Sequence, residues 1–149
     1  MFNYGGFKLF LLKVSVGTVL TLFSFFLILS LSTHSQHDPG IGKLFAVKEI
    51  YNIFGYLGAV ISSFFITVFG TLSFIIGFFT LYLGVVLLVG LKTRLLFLKC
   101  IIIIFSIILL NLAISLQKIQ IIQPGLLSNF LLDVLVYYLP VFENGFFYK

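Results

Sequence analysis

The chain has 149 residues, of which 61% are hydrophobic and 9% charged, with nine Lys and Arg against four Asp and Glu for a net charge of +5. A soluble domain carries about 25% charged residues, so these few ionisable groups could not coat a water-soluble globule. The composition excludes such a globule and points to an integral membrane protein of one small domain, its basic excess belonging to helix ends rather than to a nucleic-acid surface.

Residues 1–13, MFNYGGFKLFLLK, carry Lys8 and Lys13 and no acid. Val14 to Leu31 is apolar and uncharged for 18 residues, enough for a slightly short first membrane span. A cleaved signal peptide is the alternative, with Lys8 and Lys13 as its basic leader. The apolar run exceeds the usual 7–15 residues of a signal core, so a retained helix over 14–31 is expected.

A polar segment follows, THSQHDPGIGKLFAVKEIY over 33–51. Pro39-Gly40 predicts a turn after Asp38. His34, His37 and Asp38 form too local a cluster for a metal site, and a solvated loop is expected, with no metal or cofactor.

From Asn52 to Leu91 the chain runs 40 residues without a charge. As one straight helix it would measure about 60 Å, against a hydrocarbon core of about 30 Å. It must bend or lie partly along the interface. Gly70, flanked by Thr67, Thr71 and Ser73, tolerates a break in lipid. The expected division is an interfacial or tilted helix over 52–70 and a second span over 72–91.

The basic stretch 92–99 holds Lys92, Arg94 and Lys99 and no acid, whereas the first loop mixes Lys43 and Lys48 with Asp38 and Glu49. The positive-inside rule places 92–99 and the N terminus, with Lys8 and Lys13, in the cytoplasm. A third span is expected over 100–116, with the lone Cys100 at its start in an apolar role. Asn111 and Ser115, four apart, share a face that would seek a partner helix. Pro124-Gly125 breaks the chain before a short amphipathic helix over 126–138. Ser128, Asn129 and Asp133 are read on its polar side, and Leu127, Leu131, Val134, Leu135 and Tyr138 on the other. Thirteen residues are too few to span, so this helix is expected at the interface with Asp133 in water. The fold class is therefore all-α, a polytopic helical membrane protein with three clear transmembrane helices plus interfacial and amphipathic helices.

GLKTR at 90–94 lacks the glycine-lysine pattern of a phosphate loop, and no metalloprotease, nucleophile-elbow or paired-cysteine motif occurs. No catalytic constellation is found, and no enzyme is expected. Gly55, Gly58 and Gly70 are read as helix-packing positions, through which copies could associate.

The order of elements resembles the N-terminal membrane region of bacterial FtsK-type DNA translocases. Ser32 to Gly40, STHSQHDPG, is similar to a Ser…Asp-Pro element after that family's first helix. Asn52, Gly55, Gly58 and Ala59 repeat its N-x-x-G-x-x-G-A pattern, and Phe69-Gly70 its Phe-Gly. Pro124-Gly125-Leu126-Leu127-Ser128 and Asn144-Gly145 resemble its glycine-rich segment before a last helix. Ser63 stands where the family usually has an acid. The family's last membrane helix, linker, motor and DNA-reading domain have no counterpart in the sequence, so a truncated or split product is one expectation. The resemblance implies a multi-pass anchor in the bacterial inner membrane, serving cell division and chromosome segregation without a motor of its own. Its implied partners are the bilayer, other copies of itself and division-site membrane proteins, with no direct nucleic-acid contact. The alternative from the residues alone is a small transporter or channel subunit with Asp133 in an aqueous path.

Overall fold

The computed structural model describes residues 4–42, 49–90, 96–117 and 125–138. Every regular element among them is helical: α1 Tyr4–Ser32, α2 Gly55–Phe69, a 3-10 turn Gly70–Leu72, α3 Ser73–Leu88, α4 Leu96–Gln117 and α5 Leu126–Tyr138. In lipid, backbone N–H and C=O groups must be satisfied within the segment, and a helix does this unaided. Gly6–Ser32, Gly55–Leu88 and Leu98–Leu116 are long and apolar enough to cross a membrane. The protein is an all-α, multi-pass membrane protein.

The first helix begins at Tyr4, ten residues ahead of the apolar run at Val14. Lys8 and Lys13 are good helix formers and do not interrupt it. The second candidate span is 34 residues long and is broken at Gly70. That residue takes φ +61°, ψ −143° and donates its N–H to Ile66 O, closing the last turn of α2. Without a Cβ it adopts this conformation at little cost. The Ser73 hydroxyl lies 2.7 Å from both Phe65 O and Gly70 O, tying the start of α3 to the last turn of α2 across the break.

Helices α1 and α3 run antiparallel along a seam of small residues. A Cβ on Gly17 would stand 2.8 Å from Leu88 N and 3.0 Å from Gly84 O. A Cβ on Gly84 would stand 2.7 Å from Thr21 N. Further along, Ser24 Oγ donates to Gly77 O at 2.6 Å, and Gly77 abuts the Ile28 side chain. Leu27 and Ala59 are fully buried, with Leu31 and Leu72 nearly so. Elsewhere, apolar side chains on the helix surfaces are left to lipid.

Helix α5 packs on α4 and touches α2, with Gly125 pressed against Val68 O and the Gly70 backbone. The end of the α2–α3 break thus seats the start of α5. Between α3 and α4 lies an open apolar groove of about 470 Å³, lined by Ile75, Phe78, Phe79, Ile103 and Ile107.

Candidate functional site: a polar corner and two helix seams

Four of the nine buried polar side chains among the described residues, Ser30, Asp38, Asn52 and Ser62, gather where α1 ends and α2 begins. Ser35 O accepts the N–H of Asp38 at 3.2 Å, and the turn points the carboxylate inward. Asp38 is only 3% exposed. Its Oδ1 accepts Tyr51 N–H at 2.8 Å and its Oδ2 accepts Asn52 N–H at 3.0 Å. The expectation of a solvated loop over 33–51 therefore fails at Asp38, although His37 is exposed. The physical reason is the irregular backbone of 51–54, whose N–H groups have no helical partner and take a charged acceptor instead.

Asn52 carries the network onward. Its Oδ1 accepts Phe54 N–H at 3.1 Å, its main-chain O accepts Gly55 N–H at 2.8 Å, and its Nδ2 donates to Ser30 O at 2.8 Å. Ser30 Oγ donates to Gly58 O at 2.6 Å, drawing α2 onto α1. Ser62 Oγ donates to Ala59 O at 3.1 Å and lies 3.1 Å from His34 Nδ1. Ser63, at the position where an acid was expected by resemblance, accepts Ile41 N–H at 3.2 Å. The Phe26 and Phe54 rings, 4.5 Å apart, close the apolar side. Beside the corner is a cavity of about 320 Å³ lined by His34, Asp38, Ser63, Thr67, Thr71 and Phe74.

This arrangement fixes chain geometry. Each buried side-chain N or O atom among the described residues has a hydrogen-bond partner, and a saturated network holds one arrangement of its members.

The glycines read as packing positions serve different ends. Gly55 takes φ +61° with nothing near the site of a Cβ, so its requirement is the backbone conformation. Gly58 is buried within the chain against Asn52 and Phe54. Gly70 is buried at the break and faces Gly125. Asn111 is 1% exposed and turns its Nδ2 to Ile107 O of its own helix at 3.0 Å. Ser115 Oγ meets Ser128 Oγ at 2.6 Å. Ser128 also donates to Asn111 O at 2.6 Å, so it faces α4 and leaves the polar side shared by Asn129 and Asp133, which are both exposed. Val134 and Tyr138, read on the apolar side of α5, are exposed as well. Lys8 and Lys99 are exposed and Lys13 is half-buried. Lys92, Arg94, Pro124, Asn144 and Gly145 lie outside the described residues.

Sequence reasoning missed Gly17, Gly77 and Gly84 as close-approach positions. The signal was present: Gly17, Thr21 and Ser24 follow i, i+4, i+7 on one face, and Gly77 and Gly84 are seven apart.

The fold and its small-residue seams define the class: the membrane-embedded domain of a multi-pass helical protein. Over residues 11–128 the chain matches the 4TM region of DNA translocase FtsK/SpoIIIE, and it belongs to that family. The match takes in α2, α3, α4, the whole corner and the Ser128 contact. Neither a curated protein nor a solved structure matches the chain.

Proposed function

We propose that this chain is a membrane anchor and interaction module within the DNA-translocase system that serves cell division and chromosome segregation. It sits in the bacterial inner membrane with its N terminus in the cytoplasm, and neither hydrolyses ATP nor contacts DNA through this region. The observation that carries the reading is the family match across 11–128. The orientation is supported by the α1–α3 seam, in which Gly17 meets Leu88. The start of α1, with Lys8 and Lys13, and the end of α3, just before Lys92 and Arg94, thus share one end of the bundle. Basic segments collected at one end are what the positive-inside rule reads as cytoplasmic. The Asp38 corner stands at the opposite end. Copies of the chain and division-site membrane proteins are the partners, and the bilayer is the solvent. Gly58 is committed within the protomer, so contacts among copies run through other surfaces.

A fluorescent fusion at the N terminus should concentrate at division sites. In a Cys100→Ala background, an impermeant maleimide should label Gln36→Cys in intact cells and spare Thr93→Cys. A stable fusion spread evenly around the membrane, or labelling of Thr93→Cys from outside, would overturn the anchor reading or its orientation respectively.

A further inference from the structure

Helix α1 is much longer than the bundle it belongs to. At Gly17 it meets the last turn of α3, through Leu88 N and Gly84 O. It then continues to Tyr4, about 20 Å further at 1.5 Å per residue. The whole helix has 29 residues, about 44 Å of length against a hydrocarbon core of about 30 Å.

The overhang is apolar on every side. Phe7, Leu9, Phe10, Leu11 and Leu12 are between 47% and 62% exposed. At about 100° per residue they are distributed around the full circumference. A helix apolar all round needs an apolar medium all round, which acyl chains provide and a single docked helix does not. Lys8 and Lys13 interrupt this surface about 140° apart, and α1 contains no acid. Their countercharge has to come from outside the helix.

We propose that the overhang, Tyr4 to Lys13, is a binding surface for anionic phospholipid. Its Phe and Leu side chains lie among the acyl chains, and Lys8 and Lys13 reach along them to phosphate headgroups. This rests on membrane embedding alone, and holds whichever side the N terminus faces.

The chain has no Trp, so one introduced indole reports on one place. Phe10→Trp is to be reconstituted in phosphatidylcholine vesicles containing, at equal mole fraction, either brominated phosphatidylglycerol or brominated phosphatidylcholine. Leu22→Trp, at an exposed position in the middle of α1, is the reference. The anionic quencher should act about twofold or more strongly than the zwitterionic one at position 10, and equally at position 22. Lys8→Gln with Lys13→Gln should abolish the preference at position 10 while leaving quenching by the zwitterionic lipid. Equal quenching at position 10 by both lipids would overturn the proposal. Quenching by neither would also overturn it, placing the overhang in water or under a second copy.

Discussion

The corner at the α1–α2 junction and the seam between α4 and α5 are both held by hydroxyl, amide and backbone groups, yet they differ greatly in depth. The corner ties α1, α2 and the intervening loop through Asp38, Asn52, Ser30, His34, Ser62 and Ser63. The seam rests on Ser128 with Asn111 O and Ser115 Oγ. The difference follows from what the backbone needs. Around the corner, residues 33–42 and 49–54 are not helical, so their N–H groups require outside acceptors in a largely apolar protein. Along α4 and α5 the helices satisfy themselves, and side chains add only registration. Among the described residues the more extensive polar network therefore forms where regular structure stops.

The sharpest way to break the comparison is Asp38→Ala. It removes a charged acceptor from two backbone N–H groups, leaving that of Asn52 buried and that of Tyr51 part-buried. Hydrogen bonds to charged groups contribute roughly 1.5–3 kcal/mol each, so a loss of about 3 kcal/mol is expected in denaturant titration of the micellar protein. Hydrogen exchange should rise at Tyr51 and Asn52 and stay unchanged in α5. Equal loosening of both regions would show that the corner is not an independent unit.

A smaller effect separates two kinds of glycine. Gly84→Ala places a methyl against the Thr21 backbone and should cost about 1–3 kcal/mol through overpacking. Gly55→Ala meets open space but holds φ at +61°, which costs roughly 1–2 kcal/mol for an L residue. Thermal unfolding should rank Gly84→Ala below or level with Gly55→Ala. Helix-pair loss, read by disulfide trapping between α1 and α3, should occur only in the former.

Much of this was legible in the sequence. Charge-free length and the basic ends of the runs delineate spans, because lipid tolerates little else. The helical class and the family resemblance, carried by Asp38-Pro39 and by Asn52, Gly55, Gly58 and Ala59, both hold. What the sequence hid was pairing. Nothing in its local pattern says that Asp38 reaches Tyr51 and Asn52, because that contact depends on how two irregular segments fold back on α1. The role of Ser128 was hidden for a similar reason. On a 13-residue helix it groups by wheel position with Asn129 and Asp133, and only the docking of α4 separates them. The extension of α1 to Tyr4 was masked by lysines that read as an edge of the membrane rather than as helix.

The smallest expected effect is Ser128→Ala, and its size follows from hydrogen-bond redundancy. The Ser128 proton goes to Asn111 O, so in the 2.6 Å contact between the two hydroxyls Ser115 is the donor. Asn111 lies inside α4, whose regular N–H ladder already supplies its carbonyl with a partner. When the Ser128 hydroxyl is removed, Ser115 can turn back to the carbonyl four residues before it, which is Asn111 O itself. No buried polar group is stranded, and the loss should be near the 0.6 kcal/mol average for such bonds in membranes. Asp133→Asn, at an exposed position on the same helix, should change stability by less than about 0.5 kcal/mol and leave ion leak from proteoliposomes at baseline. A loss of 2 kcal/mol or more in Ser128→Ala, on the order of a stranded buried polar group, would mean that the seam holds α5 on the Gly70 break as firmly as the corner holds α2. The contrast between the two regions would then be one of residue count and not of strength.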